Sequence, residues 1–233
     1  GYQTNNSMYD FELQDNLSLG ANDLSFGLNY RRVNFDIFNI RDVEAIDFWS
    51  KSATVPAAKK PNPVTDGGAA SQLDPATRNL LTDSGGALVT LNETSVTNAA
   101  MLRFIQGYEE DGTARHHIGD ILHNKPMVVS YDGKDVIFFG TNEGYIHAIN
   151  ANDADTAGGG KELFAYMPST LLSNIPGQYE NKPLTTDVKR IYGADGEMTV
   201  WLDDKNKNGR VDASDGESAY LFFGLRRGGN GYY

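Results

Sequence analysis

Residues 201–217 read WLDDKNKNGRVDASDGE and gather Asp203, Asp204, Asn206, Asn208, Asp212, Asp215 and Glu217 around one glycine, Gly209. With Asp204 as position 1 of a twelve-residue loop, Asn206 falls at position 3 and Asn208 at position 5. Gly209 then stands at position 6, where the chain must turn sharply. Arg210 at position 7 offers its carbonyl, and Val211 at position 8 is the apolar residue that pins the loop to a core. Asp212 stands at position 9 and Asp215 at position 12. This is the calcium-loop spacing of the EF-hand, with Asp in place of the terminal Glu.

Calcium takes 6–8 hard oxygen ligands with loose angular demands. Alternate residues at positions 1, 3 and 5 supply side-chain oxygens from one side, the glycine folds the chain over the ion, and the distal acid closes the cage. Without a cation, three carboxylates brought to one point repel one another. Two neutral Asn ligands and a short closing Asp favour weaker binding, suited to extracellular calcium levels. The bland alternative is a solvated Asp/Asn/Gly turn. The expected ligands are Asp204, Asn206, Asn208, Asp212 and Asp215 through side chains and Arg210 through its carbonyl.

The flanks are not EF-hand helices. MTVWL before the loop and AYLFFG after it are strand-like, so the loop staples two strands and resembles the single loops of dockerin-type modules in sequence only. Upstream, KPMVVSYDGKDVIFFGTNEGYIHAINA gives three short strands broken at Asp132-Gly133 and at Asn142-Glu143-Gly144, and KELFAYMPS gives another. Many short strands with glycine-centred turns indicate a meander, as in a sandwich, barrel or propeller. VIFFGTNEGYIHAI from 136 and YLFFGLRRGGNGYY from 220 share an apolar run ending in Phe-Phe-Gly, 84 residues apart (136 to 220), about twice a propeller blade of ~40–45 residues.

TRNLLTDSGGALVTLN predicts a hairpin around Ser84-Gly85-Gly86. Thr97 is placed to cap a short helix whose face carries Met101, Phe104, Ile105 and Tyr108 and which EEDG ends. In residues 1–50, Val33, Phe35 and Ile37 alternate as in a half-buried strand, and 51–76 read as a Pro/Ala/Gly/Ser-rich linker. The expected organisation is an unassigned segment 1–77, a lead-in hairpin and helix 78–118, and a β region 119–233 that carries the loop 204–215.

The formal net charge of −11 argues against general nucleic-acid binding, because an acidic surface repels phosphates. The absence of cysteine removes disulfides, Cys-ligated zinc and thiol catalysis. No apolar run reaches the ~20 residues that span a bilayer, and the opening GYQTNNSMYDFELQ has no signal-peptide pattern.

Several motifs in order resemble the C-terminal propeller of the type IV pilus biogenesis and tip-adhesin family (the PilY/PilC type). They are GDILH (119–123), GTNEGYIHA (140–148), ELFAYMP (162–168), the calcium-loop segment and Arg226-Arg227-Gly228-Gly229, with RNLLTDSGGALV (78–89) as a lead-in. The resemblance covers roughly 78–233. It implies a mainly all-β fold, here a partial β-propeller of four-stranded antiparallel blades with a short helix and an irregular N-terminal segment. It further implies a calcium loop at 204–215 and a place at the pilus tip, on the outer membrane or outside the cell of a Gram-negative bacterium. Minor pilins and a host or abiotic surface are the implied partners, with roles in pilus assembly, control of retraction, adhesion and twitching motility.

The alternative is a fragment of a quinone-dependent dehydrogenase-like propeller, which calls for repeated tryptophan docking motifs; Trp49 and Trp201 alone do not supply them. No GxSxG, HExxH or P-loop occurs, so a non-enzymatic role is expected. His123 and His147 are expected to serve packing and hydrogen bonding, His116 and His117 to be solvated, and Arg226 and Arg227 to pair with carboxylates. The sequons at Asn5, Asn16 and Asn92 are read as chance.

Overall fold

The computed structural model describes residues 68–96, 98–131, 133–152 and 158–233. The readings made for Val33, Phe35, Ile37, Trp49, Asn5, Asn16 and Thr97 lie outside the described residues.

The described chain is mostly β. Strands β1 (Leu80–Ser84), β2 (Ala87–Thr90), β3 (Met127–Tyr131), β4 (Lys134–Gly140), β5 (Ile146–Asn150) and β6 (Glu162–Tyr166) form one sheet in the order β2-β1-β6-β5-β4-β3. Within it β3, β4, β5 and β6 are an antiparallel four-stranded meander, and the β1–β2 hairpin joins through a parallel pairing of β1 with β6. That parallel contact puts the lead-in hairpin in the same sheet as the meander. Its turn is Gly85-Gly86, both in the left-handed region, as a two-residue hairpin loop requires.

Two helices accompany the sheet, α1 (Ala99–Gln106) and α2 (Ile175–Glu180). The side chain of Asn98 caps α1 by accepting from Met101 N at 3.0 Å. Gly107 in the left-handed conformation ends it, two residues before EEDG begins, and leaves Tyr108 beyond the helix. A helix N-terminus is open to any Asn, Asp, Ser or Thr in range, and Asn98 lies one residue past the expected Thr97. The α2 turn was not anticipated from sequence, because IPGQYE holds both Pro and Gly and is too short to show a period.

Strands β7 (Met198–Asp203) and β8 (Ser218–Phe223) form a separate antiparallel ribbon. The Phe-Phe-Gly echo predicts that 220–224 stands in a second four-stranded sheet. The described residues form only two strands there, continued by a single bridge from Gly224 to Tyr232. The ribbon nevertheless repeats the β3–β4 hairpin in register. Val128↔Ile137, Val129↔Val136 and Met127↔Phe138 in the first hairpin correspond to Val200↔Leu221, Trp201↔Tyr220 and Thr199↔Phe222 in the second. The first strands are offset by 72 residues (200 − 128) and the second by 84 (221 − 137), and the difference of 12 is the length of the loop 204–215.

Alternation sets the packing. Met127, Val129, Val136, Phe138, Ile146, Ala148, Phe164 and Tyr166 lie on one face of the sheet and share a core with Met198, Val200, Leu202, Leu221 and Phe223 of the ribbon. Tyr166 meets Phe223 edge-on at 6.4 Å, and Tyr233 stacks on the same ring at 5.5 Å. Each fully buried side chain of this size contributes about 1.5–3 kcal/mol relative to exposure. Glycines permit the close approach of backbones behind this core. A Cβ on Gly196 would stand 2.1 Å from the Gly224 carbonyl oxygen, so only hydrogen fits there.

Candidate metal centre

The loop 204–215 closes the β7–β8 ribbon and rests on the edge strand β3. Val211 is 4% exposed and belongs to the core, as expected for position 8. Its N–H donates to the Ser130 carbonyl at 2.8 Å, and it bridges to Tyr131. Gly209 has φ +85, and a Cβ there would meet nothing within 4 Å, so its need is conformational and not one of space. Lys207 at position 4 is also left-handed, with φ 60.

Asp204 at position 1 accepts from the N–H groups of positions 5 and 6, Asn208 at 3.2 Å and Gly209 at 2.7 Å. Asn206 Oδ1 accepts from Asn208 N at 3.0 Å, and Asn208 Oδ1 from Arg210 N at 2.9 Å. These bonds fold the chain back over positions 1 to 6. Across the loop, Asn206 Nδ2 lies 3.4 Å from both Asp212 Oδ2 and Asp215 Oδ2, and Asn208 Nδ2 donates to Asp212 Oδ2 at 2.9 Å. Asn206, Asn208, Asp212 and Asp215 are therefore brought together, while the Asp204 carboxylate is turned to the backbone.

Arg210 is also held through its side chain. Its guanidinium donates to the Tyr131 carbonyl at 3.4 Å and lies 3.8 Å from Asp212 Oδ1. Glu217, given no role in the sequence reading, is 5% exposed and organises the loop from below. Its Oε2 accepts from Lys205 N at 3.1 Å and Asn206 N at 3.3 Å, and its Oε1 from Asp212 N at 3.1 Å. The available signal was an acid just outside the twelve positions, at the start of a strand.

Among the described residues, no group of three or more His, Cys, Asp or Glu side chains is arranged to hold a metal ion. In the loop the amide of Asn206 stands between Asp212 and Asp215, as a donor does where two carboxylate oxygens approach one point. Turning that amide about its Cβ–Cγ bond would present Oδ1 in place of Nδ2. The donors are then all oxygen, from Asp204, Asn206, Asn208, Asp212 and Asp215, which is the chemistry a calcium ion requires. The residues present fit calcium in kind, and the cage closes only with reorientation of the amides.

The histidines fall into three settings. His147, 1% exposed, places Nδ1 2.8 Å from Glu162 Oε1, and Glu162 also receives Arg78 Nε at 2.7 Å. Burial alone would raise the Glu162 pKa, but the His147 hydrogen bond and the Arg78 charge outweigh it and hold the carboxyl at about 2. Arg78 also donates to the Ile105 and Gln106 carbonyls at the end of α1, so this buried group joins helix and sheet. His123 Nδ1 lies 3.0 Å from the fully buried Asp195. His117 Nε2 is 2.5 Å from Glu143 Oε2, and its side chain remains 47% exposed.

His116, expected to be solvated, is half-buried with φ 51, and its neighbours Arg115 and His117 both reach Glu143. Arg226 pairs with Asp195 at 3.7 Å as expected. Arg227 instead donates to Tyr192 Oη at 3.3 Å and stands over that ring. A groove of about 1550 Å³ runs between α1 and α2. Its rings Phe104 and Tyr108 are faced by Arg115 at 4.5 Å and Arg103 at 4.0 Å.

Among the described residues no helix is long and apolar enough to cross a membrane. No family model, curated protein or solved structure matches this chain.

Proposed function

We propose that this chain is a calcium-binding β module of a type IV pilus tip or assembly protein, displayed at the cell surface. The observation that carries the metal reading is the loop itself. The side chains at positions 3, 5, 9 and 12 meet through hydrogen bonds between two strands, Asp204 at position 1 holds the backbone of positions 5 and 6, and Val211 anchors the loop to β3. The pilus reading rests on the ordered motifs from GDILH to the closing Arg-Arg-Gly-Gly. The finer fold reading, a propeller of antiparallel blades, draws support from the four-stranded meander and from the register-matched hairpin that follows it.

A calcium ion, when bound, supplies the positive charge that lets Asp204, Asp212 and Asp215 share one point without repulsion. The chain does the rest. Glu217 holds the N–H groups of Lys205, Asn206 and Asp212, which fixes both ends of the loop before any ligand arrives. Arg210 and Val211 tie the loop to Tyr131 and Ser130, so ordering the loop orders the contact between ribbon and sheet. The role is structural and non-catalytic. Binding at about a hundredfold excess over the dissociation constant would stabilise the folded form by roughly 2.7 kcal/mol.

On this reading the partners are minor pilins at the tip and the surface that the pilus grips. An Asp204→Ala, Asp215→Ala variant in the parent bacterium should still be exported but should alter piliation, retraction or twitching. Surface pili are to be counted with and without the retraction motor. Wild-type piliation and motility, with calcium binding shown to be lost, would sink the functional reading.

A further inference from the structure

The chain holds two Asn-Gly steps, Asn208-Gly209 and Asn230-Gly231. Asparagine is thermolabile because its amide carbon can be attacked by the next backbone nitrogen, and a following glycine puts no side chain in the way. Asn208 and Gly209 are both exposed, at the crown of the loop 204–215. A Cβ on Gly209 would meet no atom within 4 Å, so nothing blocks the ring that such an attack forms.

The loop also places the groups that the reaction needs. Asn208 Oδ1 accepts from Arg210 N at 2.9 Å, an Asx turn that folds the side chain back over the 208–209 peptide and brings Cγ beside the Gly209 nitrogen. That N–H is placed to stabilise the negative charge that develops on Oδ1 during attack. Gly209 N–H donates to Asp204 Oδ2 at 2.7 Å, so a carboxylate stands where the proton of the attacking nitrogen must go, within the reach of a general base. Asn208 Nδ2 donates to Asp212 Oδ2 at 2.9 Å, which fixes the orientation of the amide. Neither the Asn230 amide nor the Gly231 N–H has such a partner among the described residues.

We infer that Asn208-Gly209 is a self-modifying site at which Asp204 assists the attack. The Gly209 nitrogen bonds to Asn208 Cγ and its proton passes to Asp204. The Cγ–Nδ2 bond breaks as Nδ2 takes up a proton and leaves as ammonia. Water then opens the cyclic imide at either carbonyl, which leaves aspartate or isoaspartate at position 208. One proton leaves Gly209 and one departs on ammonia, and no oxidant or reductant is needed. Position 5 of the loop thereby changes from a neutral oxygen donor to a carboxylate. None of these steps needs an ion in the loop, so the modification is independent of the calcium reading.

The test is peptide mapping by mass spectrometry on the purified chain, incubated at neutral pH with a chelator, folded and in urea. In the folded wild type Asn208 should lose its amide on the order of tenfold faster than in urea, less than a well-matched base supplies because a carboxylate is weakly basic toward an amide. Asn230 should show no such acceleration on folding. Asp204→Asn, with its fold checked by circular dichroism, should bring Asn208 down to its rate in urea. A folded-state rate at Asn208 no higher than that in urea would overturn the inference, whether or not the variant folds. So would an equal acceleration at Asn230, or a folded Asp204→Asn chain that still reacts at the wild-type rate.

Discussion

Val211 donates its N–H to the Ser130 carbonyl at 2.8 Å, and through this bond the loop between β7 and β8 is fastened to the edge of a different sheet. The side chain is buried beside it. Val211→Ala keeps the hydrogen bond and removes two methyl groups from a packed site. It should cost about 2 kcal/mol in chemical denaturation. Hydrogen exchange at the Val211 amide should accelerate by more than at the amides of β5, which lies in the middle of the sheet.

Glu217 is the second anchor. Glu217→Ala leaves the N–H groups of Lys205, Asn206 and Asp212 without their acceptor in a largely enclosed place. The expected loss is about 2–3 kcal/mol, since each orphaned donor carries a desolvation penalty of that order or less. Glu217→Gln keeps one acceptor oxygen and should recover part of the loss. Equal stability of the Ala variant and the wild type in urea titrations would remove Glu217 from the loop's framework.

Acid should weaken the fold through Glu162. Its folded-state pKa, about 2, lies below the ordinary value of 4.5. The stabilisation is therefore fully present above about pH 4.5 and is lost as pH falls through that value toward 2. The shift corresponds to a contribution on the order of 3 kcal/mol. Denaturation midpoints measured between pH 6 and pH 2 should fall steeply for the wild type. They should fall less steeply for Glu162→Gln, which starts lower because Arg78 loses its charge partner.

Two glycine substitutions should separate space from conformation. Gly196→Ala drives a Cβ into the Gly224 carbonyl, backbone against backbone, and should prevent soluble folding or lower the melting temperature sharply. Gly209→Ala meets no atom, and only the positive φ is strained. It should cost about 1 kcal/mol and leave the fold intact. Comparable melting temperatures for the two variants would contradict the packing described around Gly196.

The strands were legible because their signals are local. The apolar run of β4 and the Gly85-Gly86 and Asn142-Glu143-Gly144 turns are written in adjacent residues. The apolar anchor at Val211 followed from its place in the loop spacing. What sequence could not show is what distant residues do to one another. The parallel pairing of β1 with β6, the burial of His147 against Glu162 and Arg78, and the hold of Glu217 on three amides all join positions without a common period. His116, expected to be solvated, is half-buried, and no local pattern in the sequence marks that burial. The Phe-Phe-Gly echo was visible. Its register match required the pairings, because the twelve-residue loop shifts one strand of the hairpin relative to the other.

Calcium titration by isothermal calorimetry tests the central claim most directly. The account predicts one site per chain for calcium, little competition from magnesium, which prefers a tight octahedron and keeps its waters, and loss of the binding heat in Asp204→Ala. An absence of binding heat at millimolar calcium in the wild type, or an affinity unchanged in Asp204→Ala, would contradict it.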